Sequence, residues 1–202
     1  MPLNLNSAKE LNKVFNKEQY HYAALFCEEN IWHLLKKLTT ESLSYEKIRV
    51  LFLTNPLRKV LLLNQQAAPP HEVAVWDYHV VLLADINHQL LIFDFDTRLP
   101  FVTPVQNYIQ YTFINPDDLP KELMVYIRKI PAQSYLEKFN SDRSHMFRHI
   151  EASQYPPWPI INANQHQAIK LDRYLDIEQE LNDGSQLFKL SSIKKLEQWL
   201  VL

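Results

Sequence analysis

A chain of 202 residues with a single glycine, Gly184, has few ways to turn sharply. Average usage of about 7% would supply roughly fourteen. Glycine-rich phosphate loops are therefore excluded, because GxGxxG and GxxxxGK[ST] both need several positions where backbone approaches phosphate without a Cβ. Tight turns must rest on Asn, Asp and Pro, which tolerate or preset the required backbone geometry. The length suits a single domain over residues 1–202.

The cysteine count is as restrictive. Cys27 stands alone, which rules out an intramolecular disulfide, a CxxC redox pair and a thiolate-rich zinc site, and points to a reducing compartment. Lys and Arg number 21 against 23 Asp and Glu, so no net field draws the chain to nucleic acid or an anionic membrane. Met1 to Glu18 is polar and helical in character, unlike a secretory signal. The most apolar stretch, Val73 to Phe95, is broken by Asp77, His79, Asp85, Asn87, His88 and Asp94. It falls short of the ~18 uninterrupted apolar residues of a spanning helix. The expectation is a soluble cytoplasmic protein with no nucleic-acid or membrane partner, acting as a monomer.

Periodicity sketches the elements. Ser7 and Glu10 have capping-box spacing before an apolar side at Ala8, Leu11, Val14 and Phe15, which predicts a helix over about 8–18. Ile31, Leu34, Leu35 and Leu38 predict a second helix starting close to Cys27, with Glu28 and Glu29 in its first turn. The runs Val50–Thr54, Val60–Leu63, Val73–Ala84, Leu90–Phe95 and Val125–Ile130 read as strands. The third and fourth should form a hairpin turning around Asp85 to His88. Thr103 and Pro104 look like the cap and first position of a helix reaching Phe113. Tyr155–Pro159 reads as a surface loop, Asp183-Gly184-Ser185 as a turn, and Ile193 to Leu200 as a closing helix. The result is one α+β domain with a central antiparallel or mixed sheet packed with helices.

A thiol at a helix N-terminus is favoured as thiolate by the unpaired N–H groups and the dipole, whereas Glu28 and Glu29 oppose ionisation. A free cysteine equally serves as a small buried hydrophobe. His79 lies in an apolar strand, where a histidine is often a satisfied core residue, but the neighbouring strand brings Asp94 and Asp96 to one face. Asp94 sits between Phe93 and Phe95, and an acid among aromatics needs a partner. Cys27, His79 and Asp94 together have the logic of a cysteine nucleophile: an acid orients the imidazole and the imidazole takes the thiol proton. His145 and His149 have helical zinc spacing, yet the HExxH glutamate is absent and no third ligand is evident, so no metal is expected.

Several runs fall in one order: Cys27-Glu28-Glu29-Asn30-Ile31-Trp32, Gln65-Gln66-Ala67, Trp76-Asp77-Tyr78-His79-Val80 and Asp94-Phe95-Asp96-Thr97 with Leu99-Pro100-Phe101. Ser134-Tyr135-Leu136 and Ser141-Asp142-Arg143-Ser144-His145-Met146 follow. Together they resemble the WDYHV family, the protein N-terminal glutamine amidohydrolases, over about Tyr22 to Pro159. Leu25, Val102 and a shorter turn between the His and Asp strands depart from the family pattern.

The resemblance implies a papain- or transglutaminase-like fold with catalytic Cys27, His79 and Asp94 and no cofactor. It implies deamidation of a free N-terminal glutamine in a protein or peptide to glutamate, with release of ammonia through a thioester, in N-degron processing. The Cys27 N–H is the natural first oxyanion donor. Recognition of the α-ammonium could fall to Glu28, Glu29, Asp77, Asp96 or Asp142, and the sequence does not order them. A cysteine peptidase or transglutaminase-like acyl transferase would use the same triad, and a non-catalytic binder of peptide N-termini would use the same fold.

Overall fold

The chain's β-branched and leucine-rich middle pairs into a sheet, and its flanking amphipathic segments cover that sheet on both sides. The computed structural model describes residues 8–41, 43–147, 150–162 and 167–201. Ser7 and His149, singled out above, lie outside them. Helices α1 (Ala8–Val14) and α2 (Cys27–Glu41) lead into strands β1 (Ile48–Thr54), β2 (Val60–Leu62), β3 (Ala74–Trp76), β4 (His79–Ile86), β5 (Gln89–Phe93) and β6 (Val102–Pro104). Then come α3 (Val105–Thr112), β7 (Tyr126–Pro131), α4 (Ala132–Lys138), β8 (Phe139–Asn140), β9 (Ile169–Lys170), α5 (Leu171–Leu175), β10 (Gln186–Lys189) and α6 (Ile193–Trp199).

Six strands form one sheet in the order β10-β7-β1-β4-β5-β6, every pairing antiparallel. The α+β class expected from the sequence holds, and the sheet is antiparallel. Antiparallel sheets often keep one wet face, but this one is covered twice. Val50, Phe52, Val80, Leu82 and Phe93 pack beneath α1, α2, α4 and α5. Leu51, Leu53, Val81, Leu83 and Ile92 pack against α3 and α6. Double burial explains why β1 and β4 read as continuous apolar runs instead of alternating ones.

Glycine scarcity shows in the backbone. The β4–β5 hairpin turns on Asn87 and His88, with φ of 53° and 63°, the paired left-handed conformation of a two-residue hairpin. Leu25, Arg58, Asn64, His71 and Arg143 also take positive φ. Gly184 has φ +78°.

Three local readings need correction. The stretch Val73–Ala84 is not one strand: it breaks at Asp77 and Tyr78, so β3 pairs with β2 in a separate ribbon while β4 enters the main sheet. Strand-forming residues on both sides hide that break. Thr103 and Pro104 belong to β6, and α3 starts at Val105 with no side-chain cap, since the Thr103 hydroxyl donates instead to the Pro100 carbonyl at 2.7 Å. The first helix ends at Val14, and a short 3₁₀ turn follows at Lys17–Gln19.

Candidate active site

Cys27 is the first residue of α2, so its N–H lacks an intrahelical acceptor. Asn30 fixes the approach to the helix: its amide oxygen accepts from Ala23 N–H and its NH₂ donates to the Ala23 carbonyl, both at 2.8 Å. Between these points Leu25 turns through φ 69°. The backbone that presents the thiol is thus clamped through a left-handed turn that a branched side chain ordinarily avoids.

His79 opens β4, and Asp94 follows the last residue of β5 on the adjacent strand. Both are fully buried. Nε2 of His79 lies 3.0 Å from Asp94 Oδ1. A carboxylate oxygen can only accept here, so Nε2 carries a proton and Nδ1 is left as the basic nitrogen. Nδ1 has no hydrogen-bond partner. The ring stacks on Trp76 at a centroid distance of 5.0 Å, which limits its rotation. The Val80 N–H, one residue past the histidine, points to the Cys27 sulfur and favours its thiolate.

Asp94 is held from four directions. Besides His79, the Asp96 N–H donates to Oδ1 at 2.9 Å, and Tyr108 Oη and Gln65 Nε2 donate to Oδ2 at 2.8 and 3.3 Å. Burial favours its neutral form, but the imidazole and these donors outweigh it and hold the carboxyl below its ordinary range. Burial likewise disfavours the His79 cation, and the adjacent Asp94 carboxylate outweighs that, raising the imidazole above its ordinary value. Asp96 is engaged elsewhere: it accepts from Tyr22 Oη at 2.7 Å, and burial raises its carboxyl. The choice between Asp94 and Asp96 as histidine partner therefore falls on Asp94. His79, Asp94 and Asp96 also bring metal-type ligand atoms within 4.8 Å of one another. With both Asp94 oxygens already accepting, this is the arrangement of a hydrogen-bonded dyad more than of a cation cage.

The acidic first turn of α2 divides into two roles. Glu29 accepts from Arg143 Nε and Nη2, from Ser141 Oγ and from Trp158 Nε1, at 2.7 to 2.8 Å. Arg143 also donates to the Trp158 carbonyl at 2.9 Å. The neighbouring Asp142 instead binds Lys170 and the Ser144 N–H, both at 3.0 Å. The proline-rich segment is a strap tied to α2 as well as a loop.

Glu28 is fully buried and lies 3.7 Å from the thiol through Oε2. Tyr78 Oη donates to that oxygen at 2.9 Å, and Tyr135 Oη donates to the Glu28 carbonyl at 3.0 Å. Burial pushes the Glu28 carboxyl up to about 7, against the pull of its own N–H and of Tyr78. Burial, then Glu28 and Asp96, push the Cys27 thiol well above its ordinary value. The thiolate therefore needs a cationic partner.

A pocket of about 570 Å³ opens over the sulfur, walled by Leu25, Cys27, Trp76, Tyr78, His145 and Met146. Asp77, Asp172 and Arg58 stand on its rim. Periodicity gave no sign of Tyr108, Asp172 or the role of Gln65, although Gln65 lies in one of the runs singled out above. No helix among the described residues is long and apolar enough to cross a membrane.

The profile of the family described as N-terminal glutamine amidase matches residues 22–197, from before the Leu25 turn into α6. The chain belongs to the N-terminal glutamine amidase family. Among its relatives, the protein N-terminal glutamine amidohydrolase of Bos taurus is 33% identical over 168 residues, covering 81% of each chain. That of Homo sapiens is 32% identical over 168 residues, covering 81% of this chain and 82% of its own. That of Drosophila melanogaster is 38% identical over 154 residues, covering 72% and 74%. The amidase family resemblance read from the motifs is thereby borne out, and as a member of the amidase family the chain is similar to hydrolases.

Proposed function

We propose that this protein is a hydrolase that deamidates N-terminal glutamine side chains of proteins or peptides to glutamate, using Cys27, His79 and Asp94. The observation that carries the reading is the buried His79–Asp94 pair with Nδ1 unpartnered, on the strand whose Val80 N–H points to the Cys27 sulfur, with Cys27 itself lining an open pocket. The family membership supplies the substrate.

Cys27 sulfur attacks the side-chain carboxamide carbon as His79 Nδ1 takes the thiol proton. The tetrahedral oxyanion is met by the Cys27 N–H at the helix start, where donor and dipole act together. His79 returns its proton to the departing nitrogen, ammonia leaves, and a γ-glutamyl thioester remains. His79 then draws a proton from water, hydroxide adds to the thioester, and glutamate departs with the thiol restored. Asp94 keeps the imidazole oriented and offsets its charge throughout. No step calls for a cofactor. The fold in this reading is of the papain and transglutaminase type, one catalytic domain over residues 1–202 that works as a cytoplasmic monomer in N-degron processing.

The test uses matched peptides beginning with Gln, Asn and acetyl-Gln, with ammonia as readout. Release from free N-terminal Gln alone, lost in Cys27→Ala, is the expected outcome. Activity surviving Cys27→Ala would sink the mechanism, and cleavage of internal peptide bonds would make the protein a peptidase.

A further inference from the structure

An enzyme acting on an N-terminal residue must sense its ammonium, and the five carboxylates that the sequence left open are no longer equivalent. Glu29 is saturated by Arg143, Ser141 and Trp158. Asp142 is paired with Lys170, and Asp96 lies beneath Tyr22, away from the pocket wall. Asp77 lines the pocket, as does Asp172, which the sequence did not suggest. Both are exposed to solvent and share the field of Arg58. Water screens exposed carboxylates, so they contribute little to holding a cation.

Glu28 differs from all of these. Its Oε1 is buried without a hydrogen bond, the His145 imidazole approaching it through Nε2 at 3.7 Å. Its Oε2 accepts from Tyr78 Oη, whose ring forms part of the pocket wall. A hydroxyl that donates inward to a carboxylate presents its lone pairs outward as a strengthened acceptor. His145 Nε2, 3.3 Å from that hydroxyl, borders it on the other side. We propose that Tyr78 Oη, backed by Glu28, receives the α-ammonium of the substrate and makes the enzyme selective for a free amino terminus. This rests on the deamidase reading above and names the part of the site that recognises the terminus.

The reach is compatible. In an extended glutamine the α-nitrogen and the carboxamide carbon are separated by four bonds, about 5 Å, and the attacked carbon sits about 3–3.5 Å from the nucleophile. The sulfur and Tyr78 Oη both contact Glu28 Oε2, at 3.7 and 2.9 Å. The acid's resistance to ionisation fits the same role, because a buried carboxyl without a full set of partners gains most from an arriving cation. As the ammonium arrives the carboxyl passes its proton to water in the pocket, and the ammonium becomes the counter-ion of the carboxylate.

The test compares two peptides that differ only at the first residue. One begins with glutamine, and the other with a glutaramoyl group, which keeps the carboxamide but replaces the ammonium with hydrogen. Ammonia release gives kcat/KM for each, and their ratio within one protein cancels any general loss of activity or of folded fraction. A wild-type preference for the free amine that falls by about 10- to 100-fold in both Glu28→Gln and Tyr78→Phe, chiefly through KM, is the expected result. The ratio should be retained in Asp77→Asn and Asp172→Asn. A ratio unchanged in Glu28→Gln and Tyr78→Phe, or one that collapses in Asp77→Asn or Asp172→Asn instead, would overturn the proposal. Equal wild-type rates on both peptides would overturn it while leaving the deamidase reading intact. No ammonia from either would overturn both.

Discussion

Arg143 and Glu29 meet through a two-pronged ion pair, Nε to Oε1 at 2.8 Å and Nη2 to Oε2 at 2.7 Å, across 114 residues of chain. The pair fastens the segment bearing His145 to the turn bearing Cys27, so the pocket wall and the thiol keep a fixed relation. Arg143 itself takes φ 57°, which a non-glycine residue accepts only when its surroundings impose it.

Removing one partner of a buried ion pair leaves a charge without compensation and typically costs about 3–5 kcal/mol. Arg143→Ala should lower unfolding stability by that order and abolish ammonia release. Arg143→Lys, which cannot reproduce the fork, should fall between. Denaturant unfolding reads the first effect. A cost of under about 1 kcal/mol, the range of exposed pairs, would show that the pair does not anchor the loop.

The His79–Asp94 pair sets opposite pH limits. The raised His79 contributes stability that is complete below about pH 6.5, its unfolded value, and is lost as pH rises through the folded one. The lowered Asp94 contributes stability present above about pH 3.9 and lost as pH falls through its folded value. In Asp94→Asn, burial acts on the imidazole with only the smaller pull of Asp96 against it. Its NMR titration should move from above the ordinary histidine value to below it. An unmoved midpoint would mean that Asp94 does not govern the imidazole.

Glu28 should make the protein less stable as pH rises. Its carboxyl titrates near 7 when folded and near 4.3 when unfolded, so the unfolded chain releases the proton first. The groups facing it are Cys27 and Glu29 on its own helix, Tyr78, Tyr135 at its carbonyl, and His145. Relative to Glu28→Gln, wild-type stability should fall by about 3 kcal/mol between pH 4 and pH 8. Parallel curves for the two proteins would show that Glu28 ionises normally.

The same carboxylate opposes the neighbouring thiolate. At pH 8, where Glu28 is mostly ionised, Glu28→Gln should therefore be alkylated by iodoacetamide faster than wild type, by about tenfold per unit of lowered thiol pKa. The difference should shrink at pH 6. Faster alkylation of wild type at pH 8 would place the controlling charge elsewhere.

Gly184 provides a control outside the pocket lining. Its φ of +78° and the Pro131 Cγ that an added Cβ would meet at 3.3 Å both disfavour a side chain. Gly184→Ala should cost about 1–2 kcal/mol in thermal or denaturant unfolding while leaving ammonia release per folded molecule unchanged. A neutral effect would show that the turn can relax.

Much of the fold was legible because it is local. One glycine required hairpins built on other residues, and Asn87 and His88 provide the turn. The apolar spacing from Ile31 to Leu38 placed Cys27 at a helix start, and it is the first residue of α2. The order of the His and Asp strands placed two groups side by side, and they lie 3.0 Å apart. The break at Asp77 and Tyr78 was not legible, because strand-forming residues stand on both sides of it.

Sequence alone determined which chemistries the chain can carry: a lone thiol, a histidine and acids on adjoining strands, and no phosphate-binding loop. Tertiary structure decided what each acid does. Glu28 and Glu29 are identical neighbours in the sequence, yet one meets a guanidinium from a distant loop and the other is buried with one oxygen unpaired. Residue type sets a carboxylate's intrinsic acidity, but desolvation and partners set its charge, and both come from segments that only folding brings together.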